Sequence, residues 1–433
     1  MQSQTSASPQ PCRQPGRGSR PKRGGDRERG VALLSALVAL VVIATAAADF
    51  AYNSNVDLAS AVNARDDLRA HYLARSGVNL SMLLFRVQQR FIDPNRKMLG
   101  GMDLQVADYA PMLMSAFNSK EGAEALGSLF GIEGSGIKGL GVDTGQFDLE
   151  MESLDGRLNL NCGGGANPEN PAVMRFAAAM AALMLPIRYN RLFEEPDENG
   201  QYSDRLEVMR AIIDWADQDA VMFGTSAAED YRYNTGEDPY EIKNHYFDTV
   251  EEMRLVKGID DDFISAFGEA FTVYGDCTVN VNLASVPVLT ALIVQHAAAP
   301  NDPALRWENL SVLARLLSHI REFYGGFPDM KAFLSAVEQP AAAVAPAFAT
   351  GDTEGEGAVP SGMPMPQGIK LNEQTLKDSV VVGGARRIWR IKATAQAGRV
   401  KRKITAVWDM KYVSFQARRN ASGPGGFLYW REE

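Results

Sequence analysis

Residues 194–262 hold 20 Asp or Glu and six Lys or Arg, a net charge of 6 − 20 = −14. Like charge at that density works against a compact fold unless something neutralises it. Asp217 and Asp219 leave the end of a helical pattern, and a Gly-containing loop leads from them to Glu229 and Asp230. Oxygen ligands gathered on one loop suit calcium, a hard cation that takes roughly six to eight oxygens at about 2.3–2.6 Å. The loop is not an EF-hand, because Val221 stands where the third acid belongs and Met222 where the Gly belongs. A solvated acidic loop is the other reading of the same composition. Asp214, one turn earlier and beside Trp215, reads as a helix-packing residue.

Catalytic chemistry is thin elsewhere. Gly134-Ser135-Gly136-Ile137-Lys138-Gly139 spells GxGxxG, but its sequel from Val142 to Glu150 reads as turn and strand. A dinucleotide loop needs a helix start there to hold the pyrophosphate. There is no GxxxxGK[ST], HExxH or GxSxG, and four His leave little for zinc. No nucleophile–base constellation stands out, so an enzyme is not expected.

Two stretches tempt a nucleic-acid reading. Leu255-Val256-Lys257-Gly258-Ile259 resembles the turn of a helix-hairpin-helix module, but Asp260-Asp261-Asp262 follow at once and would repel phosphates. From Arg386 to Arg419 there are eleven Lys or Arg and one acid, Asp409. These cations alternate with Trp389, Ile391, Ala393 and with Ile404, Ala406, Trp408, which describes the wet face of a hairpin. The whole chain carries 44 − 53 = −9, so it is a poor general polyanion binder.

The elements that must position the acidic loop follow from the pattern. The chain has 433 residues, 45% hydrophobic and 22% charged, which excludes a wholly disordered, collagen-like or polytopic protein. Residues 1–30 carry seven basic groups and two acids, and they are expected to lack structure. Val31–Ala48 is uncharged; as a helix it is about 27 Å long, enough to span a bilayer. The basic flank belongs in the cytoplasm and the rest outside it. Apolar positions from Phe50 to Val87 keep a helical period, and no Pro interrupts until Pro94, so one helix of roughly 60 residues is expected rather than a cleaved secretory signal.

Further on, Phe147–Met151 and Arg157–Asn161 read as a hairpin around Asp155-Gly156. Helical patterns cover 173–185, 204–216, 249–257, 286–295, 312–324 and 330–337, and residues 340–368, rich in Pro, Gly and Ala, read as a flexible loop. Ile388–Ala395 and Val400–Asp409 read as strands around Ala397-Gly398. Cys162 and Cys277 bracket the first helical block; in an oxidising compartment they form either one bridge or two separately buried thiols.

Several of these residues carry a family resemblance. Arg29-Gly30-Val31-Ala32-Leu33-Leu34 looks like a prepilin-type signal, in which a prepilin peptidase cuts between Gly30 and Val31 and the new N-terminus is methylated. Most pilins carry Glu at the fifth mature position, where this chain has Ser35. That absence and the long head resemble the K-type minor pseudopilins of type II secretion. So do His71–Asn79, Asp155–Asn161, Ile212–Asp219 with Glu229-Asp230, Pro239-Tyr240 and Asn244, then Leu255–Ile259 and Val279–Ser285. The likeness runs over most of residues 29–295.

The resemblance implies an α+β, pilin-like fold: a long N-terminal helix, a small antiparallel sheet and a large all-α insertion of SAM-like, helix-hairpin-helix-like units. Its expected divisions are a leader at 1–30, a transmembrane part at 31–48, the exposed helix at 49–93, the first part of the head at 94–166, and helical regions at 167–277 and 278–339. The 340–368 loop and C-terminal strands at 369–433 complete them. It implies structural calcium at Asp217, Asp219, Glu229 and Asp230. It also implies a non-enzymatic role at the tip of a periplasmic pseudopilus, anchored in the inner membrane. The expected partners are I- and J-type minor pseudopilins and the major pseudopilin filament, with no nucleic acid. A membrane-anchored DNA receptor and a minor pilin of a type IV pilus are the competing readings.

Overall fold

The computed structural model describes residues 26–95, 98, 105–111, 114, 145–165, 169–195, 204–229, 233, 239–349, 365–383, 386–411 and 425–433. The GxGxxG at 134–139 and Asp230 lie outside them. By its contacts the chain divides at Arg65/Asp66. The described part of the first unit is one stretch of helix α1 (Asp26–Val87). It is long and apolar enough to cross a membrane, and Val31, Leu33, Leu34 and Leu37 stand open. The helix starts at Asp26, inside the basic segment expected to lack structure.

Everything else belongs to the second unit, residues 66–433. Here α1 lays Leu73, Ala74, Val78, Leu84 and Phe85 against one face of an antiparallel sheet. The sheet has the order β1 (Gln146–Ser153), β6 (Ile388–Ala397), β7 (Val400–Asp409), β8 (Gly426–Glu432). Its inner face supplies Phe147, Leu149, Trp389, Ile391, Ala393 and Ile404. Gly77 permits the close approach, since a Cβ there would sit 3.2 Å from Ala393 Cβ. The β6–β7 hairpin turns at Gly398, whose φ of +57° suits glycine, against the Asp66 carboxylate.

The expected hairpin around Asp155-Gly156 is absent. β1 pairs with β6, while β2 (Leu158–Asn159) pairs in parallel with β3 (Phe271–Thr272). The chain turns out of the sheet at Asp155, whose carboxylate accepts the N–H groups of Arg387 and Ile388. Alternation alone finds strands but not their partners.

Between β1 and β6 stand two helical units built to one plan. The first runs from β2 through α2 (Pro171–Met184), α3 (Arg205–Ala216) and α4 (Asp261–Phe267) to β3. The second runs from β4 (Val279–Asn280) through α5 (Val286–Gln295), α6 (Trp307–Tyr324), α7 (Met330–Glu338) and α8 (Pro340–Ala349) to β5 (Val380–Val381), again a parallel pair. Residues 340–349 are thus helical where composition suggested a loop, whereas 250–255 form only a 3-10 turn.

The two units share a closure. Asn159 and Asn280 each accept the N–H two residues on, at 3.0 Å. Asn161 then brackets the backbone of Phe247, and Asn282 that of Phe327, each taking the N–H on Oδ1 and giving Nδ2 to the carbonyl. Side chains here replace the backbone ladder that a loop cannot offer. One apolar core runs through both units, with α2 packed on α5.

Candidate metal centre

Helix α3 sets the site. Asp204 caps its start in a capping box with Glu207, and Val208, Ile212, Ile213 and Trp215 bury its inner face. Its end brings two acids to one side, Asp214 in the last turn and Asp217 as the C-cap residue three positions on. Both are 4% exposed. The chain then loops out and returns through an antiparallel bridge between Val221 and Ala228, which places Glu229, 3% exposed, beside them. One carboxylate oxygen each from Asp214, Asp217 and Glu229 falls within 4.8 Å of the others.

Asp219 stands at the edge: its Oδ1 accepts Val221 N–H at 2.8 Å and its carbonyl accepts Asn244 Nδ2 at 2.8 Å. Asn244 has a left-handed φ of 46°, which Asn tolerates better than most residues. The next amide, His245 N–H, donates to the Trp215 carbonyl at 3.2 Å. Asn244 is thereby held over the end of α3.

Burial and mutual repulsion set the electrostatics of the site. Burial, then the neighbouring Asp219, pushes the Asp214 carboxyl up to about 7. Burial with Asp219 and Asp214 raises Asp217 to about 8, and burial with Asp217, Asp214 and Asp219 raises Glu229 to about 8. Asp214 Oδ1 accepts Phe223 N–H at 2.7 Å. Asp217 Oδ1, both Glu229 oxygens and Asn244 Oδ1 are buried with no partner in hydrogen-bonding geometry. Buried carboxylates left unpartnered are costly, and a divalent cation would satisfy them all. The donors are all oxygen, so the set fits a hard ion such as calcium rather than zinc.

Of the expected ligands, the structure brings Asp217 and Glu229 together with Asp219 beside them. It adds two residues not expected there. Asp214 faces the cluster rather than only packing, and its i, i+3 relation to Asp217 was the available signal. Asn244 comes from 25 residues beyond Asp219; the family resemblance includes it, but no local pattern gives it a place among the ligands.

Elsewhere, Gly30 and Val31 lie exposed on α1, and Ser35 Oγ donates to the Ala32 carbonyl at 3.0 Å. Cys162 and Cys277 form a disulfide that spans 115 residues of sequence.

A family model described as "Type II secretion system (T2SS), protein K" matches residues 156–276. Type II secretion system protein K of Pseudomonas aeruginosa is 26% identical over 266 residues, 61% of this chain and 68% of the relative. Among solved structures, the GspK-GspI-GspJ complex from the enterotoxigenic Escherichia coli type 2 secretion system is a remote likeness. It has a TM-score of 0.39 and 15% identity, covering 67% of this chain and 81% of that one. The matched domain spans the helical unit that carries the acidic centre, so this unit is similar to the corresponding domain of type II secretion system K proteins.

Proposed function

We propose that the protein is a non-enzymatic cap of the pseudopilus tip, held in the inner membrane by α1 with its head in the periplasm until assembly. It helps to start the filament together with I- and J-type minor pseudopilins. The observation that carries this reading is the bulk inserted between β1 and β6, two whole helical units on a pilin-sized sheet. A subunit stacked above would meet that mass. Ser35 supports the same placement, because its hydroxyl is spent on Ala32 and bears no charge for the amine of a subunit ahead. An amine left unpaired in hydrocarbon costs at least about 2.5 kcal/mol.

The acidic centre binds calcium structurally in this reading. Asp214, Asp217, Glu229 and Asn244 would hold the ion, which supplies the positive charge that lets the α3 end and the returning loop stay packed together. The basic sheet face suits a nucleic acid poorly. Arg390 pairs with Glu152, Lys392 with Glu150 and Arg402 with Asp67, so much of the charge is already answered within the protein.

Two measurements test the proposal. Affinity capture of the full chain from detergent-solubilised membranes should recover two smaller prepilin-type proteins. Immunogold labelling of overexpressed pseudopili should mark one end; label spread along the shaft would defeat the tip assignment.

A further inference from the structure

We propose that the Cys162–Cys277 disulfide and the acidic centre are coupled: closing the bridge prepares the first helical unit for its divalent cation, and the bound cation protects the bridge. This rests on the cation reading given above.

Two short mechanical links join the bridge to the site. Asn161, next to Cys162, brackets Phe247 at 2.7 and 3.1 Å and reaches the Val273 carbonyl at 2.9 Å. Phe247 lies three residues after Asn244, so the bracket fixes the strand of chain that carries the Asn244 oxygen. On the other side, Gly163 and Gly164 are seated against the last turn of α3. A Cβ on Gly164 would come within 2.7 Å of the Ala216 carbonyl, and one on Gly163 within 3.3 Å of Ile213 Cγ1. Asp214 belongs to that turn and Asp217 follows it as the C-cap. Residues 161–164 therefore touch the two segments that carry the cation site, the last turn of α3 and the chain just past Asn244.

Cys277 ties residues 161–164 down from across the unit, just past β3. With the bridge open, the two-residue β2–β3 pairing, the Asn159 Nδ2 bond to the Gly275 carbonyl and the Asn161 Nδ2 bond to the Val273 carbonyl, both at 2.9 Å, are left to do that work. Three buried acids within 4.8 Å repel one another, and opening the α3 end away from Asn244 would relieve them. The bridge withholds that relief and keeps the oxygens assembled. Coupling is reciprocal, so whatever factor the bridge adds to cation affinity, the cation adds to bridge formation. Cys277 is exposed, so a thiol reagent can reach the bond. Its formation takes two electrons and two protons from the two thiols and passes them to an external disulfide, which becomes two thiols.

The test uses the full chain in detergent with Cys12→Ser, leaving two thiols. Titration calorimetry with calcium chloride should show affinity about tenfold weaker after reduction with dithiothreitol. In glutathione buffers, thiol labelling should show bridge formation favoured by the same factor in calcium over EDTA. Because the reduced chain could unfold, the oxidised Asn161→Ala variant gives a second reading. It should weaken calcium binding several-fold, while Asn282→Ala, which removes the matching bracket from the second unit, should leave it unchanged. Equal affinities in both redox forms, or Asn161→Ala and Asn282→Ala behaving alike, overturn the coupling and leave the cation site standing. No calcium binding to the oxidised chain overturns both.

Discussion

At the scale of single residues, the acidic centre makes stability depend on cation and pH together. Burial and mutual repulsion raise Asp214, Asp217 and Glu229 to between about 7 and about 8. Acids with raised folded pKa values stabilise the fold while protonated, so the metal-free head should lose stability as pH rises from about 4 to about 8. Calcium should reverse that trend, because the ion competes with protons for the same oxygens. At a hundredfold excess of calcium over its Kd the gain is about 2.7 kcal/mol. Scanning calorimetry at pH 5 and pH 8, with calcium and with EDTA, checks both signs; a calcium effect of equal size at the two pH values would refute the assignment. Asp217→Asn should stabilise the metal-free head and abolish most of the calcium response.

At the scale of elements, the sheet and the helical units are joined at Arg387. Its guanidinium makes a two-pronged pair with Asp409 at 2.8 and 2.7 Å and reaches Asp276 at 2.6 Å, just before Cys277. Asp409 is 3% exposed, so Arg387→Ala leaves a buried acid without its counter-charge, answered by the Lys411 N–H at 2.8 Å. The expected loss is about 2–4 kcal/mol, at the lower side of the range for buried pairs because Arg387 itself is partly exposed. A urea unfolding midpoint unchanged in that variant would remove the pair from the account. Individual elements were largely legible: α1, the α3 helix and the β6–β7 hairpin announce themselves by period, cap and turn. What local pattern could not supply was partnership across distance. The β1 pairing with β6, the parallel β2–β3 pair and the approach of Asn244 to α3 all join residues far apart in sequence. Within the site, Asp217 and Glu229 could be read from charge density, whereas Asp214 was hidden among apolar neighbours that made it look like packing.

At the scale of the whole molecule, the bridge closes 115 residues, and in the chain-entropy account a loop of about that length is worth about 4–5 kcal/mol. The Cys162→Ser, Cys277→Ser double variant should melt well below the parent, measured in calcium so that both start with the cation present. The exit from the sheet has a separate meaning. Leu154 N–H donates to the Ile388 carbonyl at 2.9 Å, and Ser153 stands opposite Trp389, so the chain departs and re-enters on adjacent rungs. Neighbouring antiparallel rungs are about 5 Å apart, a gap that a three-residue turn closes. Replacing residues 155–386 by Asp-Gly, with Arg387 kept for Asp409, should leave α1 and its four strands folded, as judged by circular dichroism and retained packing of Trp389. The sheet is in that sense a docking port, indifferent to what is plugged between Leu154 and Arg387, and a foreign domain whose own ends lie close together could be grafted there without disturbing the anchor.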